Sequence, residues 1–527
     1  MQIITFLAFT VLVAVISYYK SRKTNEKTND DYFLGGRSLT GVVIAGSLLL
    51  TNLSTEQIIG LNGAAFKDGI LVMAWETLAA IAMVLTAVFL LPKYLKGGIT
   101  TIPQFLEKRY DKTTKTITSI LFLSGYAIVL LPIVLYSGAL AINSMFDVPE
   151  LLGVSKNVAL WITVWIIGII GGIYAIFGGL KAVAISDTIN AVGLLIGGML
   201  IPIFGLMAVG DGNVFEGITV LMTEHPEKFK SLGGPKSSIP VETIFTGMML
   251  VQLFYWGTNQ AIIQRALGAK NLKEGQKGLL LASFIKILGP IIVVLPGIIA
   301  YHMFGDQIVN PDEAYPMLVS KVLPKVWLGF FAAVLFGAIL SSFNSALNSS
   351  VTLFSIDIYQ SYFKKGTNET NVIKVGKTFG IGLALIAMCI APLLIYASNG
   401  LFGYLQEANG IYSIPILTII VVGFSTKYVP AIAAKIGIIS GSILYIISQF
   451  IIKPYIGAEN YPHFLHVMAI LFVLNVLIML LVGKLKPRKE AYIQVYTKQV
   501  SITPWKLTNS LGIIICILVL SIYIYFI

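Results

Sequence analysis

The stretch Thr51-Asn52-Leu53-Ser54-Thr55-Glu56-Gln57 sits in the middle of an apolar segment running from about Val42 to Ala65. About twenty apolar residues suffice to cross a bilayer as one helix, yet the centre of this segment is mostly polar. In hydrocarbon every unpaired backbone group is costly, so irregular backbone at that depth persists only where it lines a protein-enclosed cavity. A helix interrupted at mid-membrane frees carbonyls and side-chain amides to coordinate something, the arrangement found at transporter binding sites. A polar helix–helix contact is the simpler reading, but Glu56 and Gln57 together are expensive for that purpose.

The rest of the chain agrees with a membrane setting. Of 527 residues, 56% are hydrophobic and only 12% charged, against about 25% charged in a soluble domain. The longest polar stretch, about Asp211 to Pro240, is too short for a soluble domain. Windows of apolar residues predict about fourteen membrane segments, including ones centred near Phe9, Thr51, Leu78, Leu250, Pro290, Leu340 and Ser413. The fold class expected is an all-α polytopic membrane protein.

A formal charge of +12 would suggest nucleic acid for a soluble protein; here the placement of the charges decides. If the first helix runs outside to inside, 28 of the 37 Lys and Arg residues fall in the cytoplasmic loops, Arg265 among them, and 8 on the other side. Such an alternating bias predicts a multi-pass protein of the cell membrane with both termini extracytoplasmic. Met1 to Tyr19 has basic residues only after its apolar run, the pattern of a retained anchor. Cys389 and Cys516 fall in apolar segments and imply neither a disulfide framework nor a metal site.

Enzyme signatures are absent: the sequence contains no HExxH, CxxC or GxSxG. Val375-Gly376-Lys377-Thr378 resembles the tail of a phosphate-binding loop, but Asn371 stands where that loop needs Gly. His225, His302, His463 and His466 lie in loops or at helix ends, where a solvated or interfacial role is expected and not metal ligation. Without a nucleotide motif, any pumping must draw on an ion gradient or a partner.

Polar and ionisable residues inside apolar segments are functional candidates. Four places stand out: Gln57 with Glu56, Glu76, Lys286, and Gln406 with Glu407. An isolated charge would be prohibitive at the depth of Glu76 or Lys286, so the two should converge or share a polar ligand. With Trp75, Tyr255 and Trp256 nearby in sequence, this mixture suits a neutral polyhydroxylated solute, because hydroxyls both donate and accept and aromatic faces cover a sugar ring. Ser341, Ser342 and Ser345 fall near one face of one helical turn. Their hydroxyls, joined by carbonyls from an unwound helix, would make an oxygen-only site for an alkali cation.

On these residues the chain resembles the sodium/solute symporter family, and within it the bacterial sodium/glucose and sodium/galactose cotransporters. The resemblance covers nearly the whole chain: TNLSTEQ, YAIFGGLKAV from Tyr174, YWGTNQAIIQRAL from Tyr255, SSFNSALNSSVTLFSIDIY from Ser341 and YLQE from Tyr404. It implies a LeuT-type fold, with inverted five-helix repeats over 39–209 and 239–424, one extra helix and its loop in 1–38, and three extra helices in 425–527. It implies a sodium-coupled symporter, with no obligate protein partner, that imports a neutral hexose; an inositol or another small neutral solute is the alternative. Sugar hydroxyls would be held by Gln57, Glu76, Gln252, Lys286 and Gln406, with Asn52, Trp75 and Tyr255 as gates. Sodium would take the carbonyls of Leu50, Leu53 and Ala338 and the hydroxyls of Ser341 and Ser342, and Asp187, Ser342 and Ser345 match a second sodium position.

There are departures. Gln252 replaces an Asn of the sugar site, Ala79 a Ser, Trp75 a Tyr and Leu130 an Asn. Sialic-acid relatives carry an Arg on the fourth segment, and none occurs here from Thr116 to Phe146. A neutral sugar is therefore expected over an acidic one.

Overall fold

The computed structural model describes residues 2–21, 28–363, 368–396, 401–457 and 459–527. Parts of the basic loops (22–27 and 364–367) lie outside the described residues, as do the side chains of 176–179 in the YAIFGGLKAV run. Among the described residues the chain is helical, with isolated bridges Leu39–Ala269 and Gly233–Pro240 in place of strands. That follows from the solvent: a helix satisfies its own backbone in hydrocarbon.

The helices that matter below are α1 (Gln2–Ser21), α2 (Gly41–Asn52), α3 (Thr55–Asp68), α4 (Ala74–Leu85), α5 (Lys156–Val209), α6 (Val214–Glu224), α7 (Met249–Gly257), α8 (Gln260–Leu267), α9 (Leu272–Lys286), α10 (Leu295–Phe304), α11 (Lys325–Thr352) and α12 (Leu401–Ser425). Among the described residues, eleven helices are long and apolar enough to cross a membrane. α5 contains two of these spans, Lys156–Ala175 and Leu180–Val209. Three expected segments fall outside this set: those near Thr51 and Leu250 are interrupted and leave only short pieces, and the one near Phe9 is the 20-residue α1.

Both interruptions fall where polar residues enter an apolar run. α2 stops at Asn52, Leu53 leaves the helical region at φ −76°, ψ 57°, and α3 starts at Thr55. α7 stops at Gly257, and Asn259 caps α8 by accepting from the Ala261 N–H at 3.0 Å. A third interruption follows Lys286, the last residue of α9.

The core arranges itself around these breaks. α2 packs on α5, α9 and α11, while α4 packs on α7 and α9. α3 packs on α10 so closely that a Cβ on Gly297 would lie 2.2 Å from the Asn62 carbonyl oxygen. Only glycine allows that approach, which in membranes is how helices gain dispersion contacts.

Candidate functional site

Glu76 lies in the first turn of α4 and Lys286 in the last turn of α9. Each sits at the helix end whose dipole favours its charge. The Lys286 Nζ donates to Glu76 Oε2 at 2.6 Å, and the two side chains are 1% and 0% exposed. The other carboxylate oxygen, Oε1, accepts from Gln57 Nε2 at 2.7 Å. Gly289 stands beside this carboxylate, where a Cβ would come within 2.4 Å of Oε2. Three interrupted or adjoining segments thus deliver an amide, a carboxylate and an ammonium to one buried point.

An aromatic ring stands beside it. Lys286 Nζ lies 5.7 Å from the Trp256 ring centre, a cation–π distance. The Trp256 Nε1–H donates to Gln252 Oε1 at 3.2 Å, and Gln252 Nε2 donates to the Trp75 carbonyl at 2.8 Å. Gln252 is therefore held on both sides by α7 and α4. Trp75 meets Phe402 edge-on at 5.2 Å between centroids. Gln406 follows Phe402 by one helical turn, on the same face of α12; it is half-buried and stands outside the Gln57–Glu76–Lys286 chain of bonds. Its neighbour Glu407 is engaged elsewhere, accepting from Lys453 at 2.6 Å.

At the first break, Thr55 Oγ1 and Glu56 Oε2 are buried without a hydrogen bond among the described residues. Such atoms are expensive to bury unmatched, and a polar ligand would match them. The Asn52 side chain faces the Tyr255 hydroxyl, across the two breaks.

The end of α2 meets α11. The Ser342 Oγ donates to the Thr51 carbonyl at 2.9 Å, and Thr51 Oγ1 lies 3.4 Å from Ser341 Oγ and 3.1 Å from Ser345 Oγ. Because α2 ends at Asn52, its last carbonyls, Leu50 included, lose their partners one turn on. Ala338 is one turn before Ser342 on α11. The region thus holds hydroxyls and freed carbonyls and no soft ligand, the donor set that suits a hard cation.

One buried charge was missed by sequence reasoning. Arg265, counted there among cytoplasmic loop charges, is fully buried in the last turn of α8. Its guanidinium donates to the Ser345 hydroxyl, to the Ala261 carbonyl and, through Nε at 3.1 Å, to Ser47 Oγ. The Ser47 hydroxyl in turn donates to Asp187 Oδ2 at 2.6 Å. Asp187 and Ser345, two members of the expected second sodium position, are thereby linked through an arginine. Its signal was its position, six residues past the cap of a short helix; the following Gly268, Lys270 and Lys273 disguised it as loop. A cavity of ≈ 310 Å³ between α1, α5 and α11 reaches Asp187 and Ser341, and Gln57, Glu76 and Lys286 are not among its walls.

Comparison with known proteins agrees with this architecture. The family model "Sodium:solute symporter family" matches residues 32–441. The chain is 46% identical over 523 residues to the uncharacterized symporter YidK of Escherichia coli strain K12, covering 99% of this chain and 90% of that protein. It is 33% identical to the sodium/glucose cotransporter of Vibrio parahaemolyticus, covering 84% of each, and 28% identical to the sodium/myo-inositol cotransporter of Bos taurus, covering 91% of this chain and 72% of that one. Among solved structures, a substrate-bound, outward-open sodium-coupled sialic acid symporter superposes with TM-score 0.79 at 21% identity, covering 93% of this chain and 98% of that one. The nucleobase-cation-symport-1 transporter Mhp1 follows at TM-score 0.56 and 14% identity, covering 88% and 96%. The fold is of the LeuT type, and with a family model spanning most of its length and close relatives along all of it, this chain belongs to the sodium:solute symporter family of membrane transporters.

Proposed function

We propose that this symporter carries a neutral polyhydroxylated solute, a hexose foremost, into the cell together with sodium. The observation that carries this reading is the buried line Gln57–Glu76–Lys286, with the Trp256 ring beside Lys286. It offers donors and an acceptor in alternation beside a flat apolar face, which is what a ring with several hydroxyls needs. Gln406, one turn beyond Phe402, and Gln252 would complete the set, and Asn52, Trp75 and Tyr255 would close over the solute. The ion pair keeps the site neutral, so an acidic sugar would meet Glu76 without a spare cation. The inositol cotransporter among the relatives makes a cyclic polyol the second reading.

Sodium would sit between α2 and α11, on the carbonyls of Leu50, Leu53 and Ala338 and the hydroxyls of Ser341 and Ser342. In the present conformation Ser342 spends its proton on the Thr51 carbonyl. An ion there would take over the tie between the helices and hold the break in the shape that presents Gln57. A second sodium on Asp187, Ser342 and Ser345 would require the Arg265 guanidinium to leave Ser345, because two cations would otherwise share one hydroxyl.

The test is a binding panel on purified protein, read by tryptophan fluorescence, with glucose, galactose, myo-inositol and sialic acid in sodium and in potassium. A response to a neutral sugar or polyol in sodium supports the proposal. A response to sialic acid alone, or equal responses in potassium, refutes it.

A further inference from the structure

Away from Gln57, Glu76 and Lys286, three side chains converge at the junction of α6 and α10. Glu224 ends α6 and His225 follows it, and His302 stands near the end of α10, 77 residues beyond His225. His225 Nε2 lies 3.2 Å from His302 Nδ1, and His302 Nδ1 lies 3.5 Å from Glu224 Oε2. All three ligand atoms fall within 4.8 Å of one another. Tetrahedral zinc, with bonds of about 2.0–2.1 Å, sets its ligand atoms roughly 3.3 Å apart, and this trio is near that spacing.

The surroundings look built for ligation. The second ring nitrogen of His225, Nδ1, faces the Glu227 carboxylate at 3.8 Å. A carboxylate behind a metal-binding imidazole fixes its tautomer and raises its basicity. The His225 ring also meets Tyr301 edge-on at 5.2 Å, and Tyr301 lies beneath the Lys228 ammonium at 3.7 Å. Lys228 donates to the carbonyls of Phe66 and Lys67 at 2.9 and 2.7 Å, which pins this segment to the end of α3. Both imidazoles are about a quarter exposed, at 23% each, so an ion can reach them from water.

We propose that Glu224, His225 and His302 form a binding site for a zinc-class divalent cation, with a fourth position open to water. Two imidazoles and one carboxylate select borderline ions such as Zn²⁺ over Mg²⁺ or Ca²⁺, which take oxygen. A bound ion would fasten α6 to α10, the helix packed against α3, which carries Gln57.

Purified, tag-free protein is stripped with chelator and titrated with Zn²⁺ against a chromophoric competitor. The expected result is one tightly bound Zn²⁺ per chain, unaffected by excess Mg²⁺. Its affinity should fall by about tenfold or more in His225→Ala and in His302→Ala, by the scale set for lost metal partners. Melting temperatures in chelator show whether each variant is folded. X-ray absorption on Zn²⁺-loaded wild-type protein, which needs no variant, should show imidazole in the first shell. Wild-type protein that binds no more Zn²⁺ than the folded His225→Ala/His302→Ala double variant, or a first shell free of imidazole, would overturn the site and leave a plain histidine–histidine hydrogen bond.

Discussion

Lys286 and Glu76 meet at 2.6 Å in a site with almost no solvent exposure. Two charges 210 residues apart in the sequence are thereby committed to each other. Desolvating such a pair can cost as much as its attraction returns, so mere stability is a weak reason for keeping it. Glu76→Gln or Lys286→Gln alone leaves one uncompensated buried charge and should destabilise the protein by about 3–5 kcal/mol. The double variant should recover part of that loss. A thermal-unfolding double-mutant cycle checks it, and additive losses would show that the two charges are not coupled.

Gln57 shares the carboxylate with Lys286, so its removal costs Glu76 Oε1 a partner and, on the proposed reading, the solute a ligand. Gln57→Ala should weaken solute binding by about 5- to 150-fold, equivalent to about 1–3 kcal/mol. Gln406→Ala should act in the same direction without disturbing Glu76. Equilibrium binding of the transported solute to both variants measures this, and unchanged affinity in both would place the pocket elsewhere.

In the proposed mechanism Ser342 connects ion and solute. Ser342→Ala removes both the hydroxyl and its tie to Thr51. The sodium concentration for half-maximal uptake should rise several-fold, while solute affinity at saturating sodium changes far less. Linkage is reciprocal, so sodium must tighten the solute by the factor with which the solute tightens sodium, commonly about 1–3 kcal/mol of coupling. Sodium titrations at two solute concentrations test this equality.

Outside the spans, His463 caps the Phe464–Leu485 helix by accepting from the Leu465 N–H at 3.4 Å. Burial pushes its imidazole down to about 4, with His466 and Lys453 adding to the effect. The unfolded chain, near 6.5, takes up this proton first. Its contribution is therefore present above the unfolded value and lost as pH falls from about 6.5 to 4. Melting temperature should drop across that window, and His463→Asn, which keeps a capping oxygen, should flatten the drop.

Much of this was readable beforehand. The polar run at Thr51–Gln57 announced the break at Leu53, since hydrocarbon tolerates such residues only around a cavity. The cost of isolated charges likewise predicted that Glu76 and Lys286 meet. Arg265 escaped because its meaning depends on α8 folding back into the protein, and a short helix followed by lysines reads as a loop. The convergence of His225 with His302 escaped too, since no spacing rule links residues so far apart. The segments near Thr51 and Leu250 register in a hydropathy window although neither forms one long helix, because the window sums hydropathy without sensing the break.

The central claim is coupling: a neutral sugar moved uphill by sodium. It is tested most directly in proteoliposomes with an imposed inward sodium gradient and a panel of labelled sugars and inositols. At least one neutral solute should accumulate above its outside concentration, collapse when the gradient is dissipated, and fail to accumulate with potassium. Entry that only equilibrates, or accumulation indifferent to sodium, would contradict the account.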